Sequence, residues 1–121
     1  MFDDLINKPY KVHGRGPGGY DCYGLVIECC RRAGTPLLDL WYDVPGMESG
    51  TAESEYINKG LNVRKIDKVK KGCLVEMEYN GKLHAGYMID RDHVMHTTER
   101  GVKVTCLPAV KVKAFYEVLP V

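Results

Sequence analysis

The residues best suited to do chemistry in this chain are Cys22, within Asp21-Cys22-Tyr23-Gly24-Leu25-Val26, and the histidines His84 and His96. The periodicity predicts an amphipathic helix that begins at Cys22, directly after a Gly-rich loop. A thiol at a helix N-terminus sits among unpaired N–H groups and at the positive end of the dipole, both of which favour the thiolate. The thiolate is the nucleophilic form, so this position suits attack better than packing. Such a nucleophile needs a base within ~3 Å to take its proton or to hold it as an ion pair. His84 opens a predicted strand, Leu83-His84-Ala85-Gly86-Tyr87, and His96 lies on the next one, antiparallel through a turn at Asp90-Arg91-Asp92. A turn centred near Asp90-Arg91 brings His96 within a residue or two of facing His84, close enough to bond its ring. A third group that holds the imidazole is the general logic of a catalytic triad, and here that group is a second His. Gly86 shares the face of His84, and its missing side chain is expected to admit the helix end or a substrate.

The elements that must position these groups follow from the pattern. Phe2, Leu5 and Ile6 have helical spacing, which ends before Pro9. Gly14, Gly16, Pro17, Gly18 and Gly19 make an irregular loop. It lacks the Gly-Lys-Ser/Thr ending of a phosphate loop, so its expected task is to bring the chain close beside Cys22. The helix then runs from about Cys22 to Ala33 on a stripe of Leu25, Val26, Cys29, Cys30 and Ala33, with Gly34 as its stop. An irregular apolar stretch and a short helix from about Thr51 to Lys59 follow. From Cys73 onward the chain reads as strands: one to Tyr79, a hairpin turn at Asn80-Gly81, then Leu83 to Ile89, His93 to Thr97, and alternating runs that start at Val102 and Val112. Helices first and an antiparallel meander after them make the fold class α+β.

Size and charge narrow the function. The 121 residues suggest one domain, and 45% hydrophobic content excludes a disordered chain. No apolar run approaches the ~18 residues of a membrane helix. The start Met1-Phe2-Asp3-Asp4 lacks the features of a secretory signal, so the protein is expected to stay in the cytoplasm or to leave by a route that needs no signal, such as lysis or assembly into a larger particle. A net charge of +1, with only the Lys68, Lys70 and Lys71 cluster, gives no nucleic-acid footprint. The five cysteines are irregularly spaced, which disfavours a disulfide framework. Cys29, Cys30, Cys73 and Cys106 are expected to be buried on apolar faces. His13 and His93 read as ordinary surface residues. His93 and His96 point to opposite faces of a strand and no Cys-x-x-Cys exists, so neither a metal nor a cofactor is expected.

An oxyanion hole is expected from the Cys22 N–H plus a second donor, for which the Tyr10 hydroxyl is the candidate. The sequence Pro9-Tyr10, the Gly-rich loop, Tyr20-Asp21-Cys22-Tyr23-Gly24-Leu25-Val26, Lys71-Gly72-Cys73-Leu74-Val75, His84-Ala85-Gly86-Tyr87 and His96 resembles the NlpC/p-sixty superfamily of papain-like cell-wall cysteine peptidases. The resemblance runs from about Lys8 to Val104. It implies a papain-like α+β domain with N-terminal helices packed on a C-terminal antiparallel sheet. It implies hydrolysis of peptidoglycan stem peptides, typically at the D-γ-glutamyl–diamino acid bond, with Cys22 as nucleophile, His84 as base and His96 as orienting residue. Tyr10 matches the family's tyrosine near the oxyanion site, and Asp21 matches an acid that in some members holds the substrate's amino end.

The chain departs from that pattern in two places. Most cell-wall members carry Ser after the Cys, where this chain has Tyr23, and the family's Gly-Asp-Leu-Val reads Gly72-Cys73-Leu74-Val75. Tyr23 is thus expected to line, alter or block a substrate pocket. An aromatic there resembles phage and prophage tail-associated members, which would make tail proteins a second class of partner. Two alternatives stay open: an inactive binding or assembly module on the same fold, and a papain-like acyl transferase. The second is disfavoured because related transferases carry the His before the Cys.

Overall fold

A computed structural model describes residues 1–39 and 60–121. Its helix α1 spans Cys22–Arg32, and six strands follow: β1 (Val63–Ile66), β2 (Leu74–Tyr79), β3 (Lys82–Met88), β4 (His93–Thr98), β5 (Gly101–Cys106) and β6 (Lys111–Val118). They form one antiparallel sheet in the order β1-β6-β2-β3-β4-β5. The expected meander is therefore present from β2 to β5. It is extended because β6 crosses back to pair with β2, and β1 adds outside it. The helix expected at Thr51 to Lys59 lies outside the described residues.

Helix α1 forms where the apolar stripe predicts it. Asp21 adopts extended backbone and its side chain accepts the Gly24 N–H at 2.6 Å, which satisfies one of the open donors of the first turn. Arg31 and Arg32 sit at the negative end of the dipole and both bond Glu28. Gly34 adopts a positive φ of 79° just past the end. The expected N-terminal helix is shorter than its spacing suggests. It is a single 3-10 turn, Asp3–Leu5, whose only buried residue is Leu5. Asn7 takes a left-handed φ of 70°, and its N–H then bonds the Val102 carbonyl, so the segment runs along β5 instead of continuing as helix.

Both faces of the sheet are covered. Leu25, Val26, Cys29 and Cys30 of α1 pack with Leu74, Tyr87, Met95 and Val102 in one apolar cluster. Cys73, Val75, Met77, Met88 and Val94 form a second cluster, against which Val69, Leu107, Val110 and Phe115 pack. This explains why β2 buries Leu74, Val75 and Met77 rather than alternate residues only. Cys106 is a correction: it is exposed, whereas Cys29, Cys30 and Cys73 are buried. On the outer strand β5, burial fades along the chain, from Val102 at 0% to Val104 at 36%. No helix among the described residues is long and apolar enough to cross a membrane.

The Gly-rich loop meets α1 at Gly24. A Cβ at that position would lie 1.9 Å from the Gly14 carbonyl oxygen. Gly24→Ala is therefore expected to lower stability by about 3 kcal/mol, the upper end for overpacking, because the contact is to backbone that cannot turn away. Thermal unfolding of the two proteins checks this; a Tm within a degree of the parent would contradict the close approach.

Candidate active site

Strands β3 and β4 pair only through Tyr87 with Met95 and Met88 with Val94. Beyond that ladder, both strands contact the start of α1. The Thr97 hydroxyl donates to the Asp21 carbonyl at 3.2 Å, and the Ala85 N–H lies within hydrogen-bonding range of the Cys22 sulfur. The helix N-terminus thus occupies the opening between the two strands. This places Cys22 next to the strand residue that follows His84.

The histidines occupy the sheet phase that carries Met77, Tyr79 and Val94, since Met77 is the direct partner of His84. His84 Nε2 and His96 Nδ1 are 3.1 Å apart. The other ring nitrogen of His96, Nε2, is 2.9 Å from Thr105 Oγ1 on β5. Tyr79 stacks on His84 with centroids 5.0 Å apart and meets His96 edge-on at 5.6 Å. Its hydroxyl donates to Glu99 Oε2 at 2.9 Å. Tyr79 of β2 and Thr105 of β5 therefore hold the two rings, which β3 and β4 carry. Gly86 does not face the helix end or an open site. A Cβ there would fall 2.5 Å from Val94 and 2.7 Å from Met77, so its bareness serves the second apolar cluster.

Burial dominates the electrostatics. Cys22 is half-buried, and the loss of water pushes its thiol up to about 11, with the Asp21 carboxylate adding to the rise. The N–H groups of Ala85, Tyr23 and Cys22 act in the opposite direction and are outweighed. The resting sulfur is thus a neutral thiol, not the thiolate that its helix position alone suggests. Burial likewise pushes His84 down to about 4, helped by the neighbouring His96 and opposed by the Thr97 carbonyl. His96 is lowered by burial as well. Near neutral pH the group consists of a thiol and two neutral imidazoles.

The remaining candidates separate. Asp21 Oδ1 caps the helix and also accepts from Arg15 Nη1 at 2.8 Å, while Arg15 grips Asp39 through Nε at 2.8 Å. Asp21 is therefore already engaged within the protein. Tyr10 bridges Tyr20, two residues before Cys22, and keeps 51% of its surface in solvent. Tyr23 is a correction to the expected pocket role. It is 3% exposed, its hydroxyl donates to the Leu38 carbonyl, and the Arg15 guanidinium lies 5.8 Å from its ring centre. The first turn aims this side chain into the core. His93 pairs with Asp90 at 2.9 Å on the surface. Among the described residues, no group of three His, Cys, Asp or Glu side chains has metal-binding geometry.

Thr105, Tyr79 and Arg15 were not singled out by sequence reasoning. A signal existed for Thr105. The turn after Thr98 pairs His96 with Lys103, and the alternation of β5 then puts Thr105 in the His96 phase. The domain is α+β, with a cysteine at a helix start in reach of the strand position after His84 and a bonded imidazole pair on β3 and β4, the groups a thiol-dependent hydrolase requires. The chain belongs to the NlpC/P60 family, whose model matches residues 7–117 and whose members are generally cysteine peptidases acting on peptidoglycan. Comparison with curated proteins finds no match.

The depressed His84 has a thermodynamic consequence. Between about pH 6.5 and 4 the unfolded chain binds a proton at this residue and the folded one does not, so stability rises with pH across that window. Acidification through it is expected to remove about 3 kcal/mol. His84→Gln should flatten the slope in denaturant titrations at several pH values. An unchanged slope would locate the effect elsewhere.

Proposed function

We propose that this protein is a cysteine endopeptidase that hydrolyses peptidoglycan stem peptides, at the D-γ-glutamyl–diamino acid bond, with Cys22 as nucleophile, His84 as base and His96 as the group that orients His84. The observation that carries this reading is the 3.1 Å contact between His84 Nε2 and His96 Nδ1, beside the strand position whose amide reaches the Cys22 sulfur. Family membership supplies the substrate class.

Because the resting thiol is neutral, His84 acts as a general base during attack. The S–H proton passes to the imidazole as sulfur bonds the carbonyl carbon and the π electrons move to oxygen. That oxygen, now negative, forms at the helix start, where the Cys22 N–H donates to it and Tyr10 is the candidate second donor. The proton on His84 then goes to the leaving amine as the C–N bond breaks, which leaves a thioester. Water, deprotonated by His84, opens the thioester and restores the thiol. A binding-only role would be favoured by Tyr23 filling the groove. Its ring is in the core, so hydrolysis is the reading we keep.

Digestion of purified murein followed by mass spectrometry of the fragments tests activity and bond together. Cys22→Ala is expected to abolish fragment release, and His96→Ala to lower turnover roughly a hundredfold or more, as loss of an orienting group does in related chemistry. Release of the same fragments by Cys22→Ala would remove the nucleophile from this account.

A further inference from the structure

The second nitrogen of His96 is held by Thr105, and a neutral imidazole carries only one proton. With both rings neutral, the chain Thr105–His96–His84 must run in one of two directions. In one, Thr105 Oγ1 donates to His96 Nε2, His96 Nδ1–H donates to His84 Nε2, and His84 carries its proton on Nδ1. In the other, His96 Nε2–H donates to Thr105, His84 Nε2–H donates to His96 Nδ1, and the lone pair of His84 is left on Nδ1. Only the second leaves His84 Nδ1 able to take a proton, because Nε2 is already committed to His96 at 3.1 Å.

We propose that Thr105 is a positioning residue that sets the direction of this chain by accepting a hydrogen bond from His96, and so fixes both histidines as Nε2–H tautomers. The inference rests on His84 acting as base. A hydroxyl suits the terminal position. It accepts from His96 through a lone pair while its own hydrogen turns to water, which half-buried Thr105 can reach. It also brings no charge, so neither imidazole is drawn into the protonated form at rest. A carboxylate there would raise the pKa of His96 and hold a proton at the far end of the chain. Tyr79, stacked on one ring and edge-on to the other, holds both in this arrangement, in which the two rings stand 77° apart.

The test reads tautomers directly and does not depend on turnover. Protein labelled with 15N-histidine, with resonances assigned by His84→Gln and His96→Gln, gives the protonation of each ring nitrogen near pH 7. Both rings should be protonated on Nε2 in the parent protein. Thr105→Val, which keeps the shape and removes the hydroxyl, should produce a mixture of tautomers and lower kcat on murein about tenfold at unchanged KM. Thr105→Ser should restore both readouts. A parent His84 or His96 protonated on Nδ1 overturns the proposal, and for His84 it would make the Thr97 carbonyl the group that sets the ring. Unchanged tautomers in Thr105→Val overturn it as well. A parent protein with the expected tautomers and no action on murein would sink the peptidase reading and leave the hydrogen-bond assignment standing.

Discussion

The site depends on one carboxylate oxygen. Asp21 Oδ1 accepts from the Gly24 N–H at 2.6 Å and from Arg15 at 2.8 Å. The first contact fixes where α1 begins and thus the direction in which Cys22 leaves the backbone. The second ties that beginning to the Gly-rich loop, since Arg15 Nη1 also donates to the Gly14 carbonyl at 2.9 Å. The Asp21 main chain is held independently, by the Thr97 hydroxyl on its carbonyl and by the Gly14 carbonyl on its N–H at 3.3 Å. A cap is ordinarily a way to satisfy a helix end. Here it also locks a helix, a loop and a strand at the residue before the sulfur.

The same burial acts in opposite directions on the two partners. It raises Cys22 and lowers His84, so each prefers its neutral form. In the proposed reaction, transfer of the proton would create a thiolate and an imidazolium together, and each would stabilise the other in surroundings of low polarity. Neither ionises readily alone. The sheet holds the two rings in a fixed relation to each other. His96 and Thr105 fix His84 from one end, and Tyr79 covers its face.

Much of this was legible in the sequence where the signal is local. The start of α1 follows from Asp21 and the apolar stripe. The hairpin between β2 and β3 follows from Asn80-Gly81, whose φ values of 52° and 77° are the reason for those residue types. The proximity of His84 and His96 follows from a short antiparallel turn. What escaped depends on pairing between distant segments. β1 has four residues, two of them the charged Arg64 and Lys65, and it is a strand only because β6 runs beside it. The return of β6 to β2 crosses more than thirty positions and leaves no local mark. Tyr23 was misread because being next to Cys22 in sequence says nothing of direction on a helix. One residue further turns the side chain about 100°, here into the core.

A neutral sulfur has a further consequence for the lifetime of the protein. Peroxides and other electrophiles react with thiolates far faster than with thiols, and the first oxidation product opens the way to irreversible acids. A cysteine that burial keeps protonated presents little to such reagents. The desolvation that withholds nucleophilicity thereby acts as a preservative, making oxidation of this sulfur slower than that of a permanently ionised one.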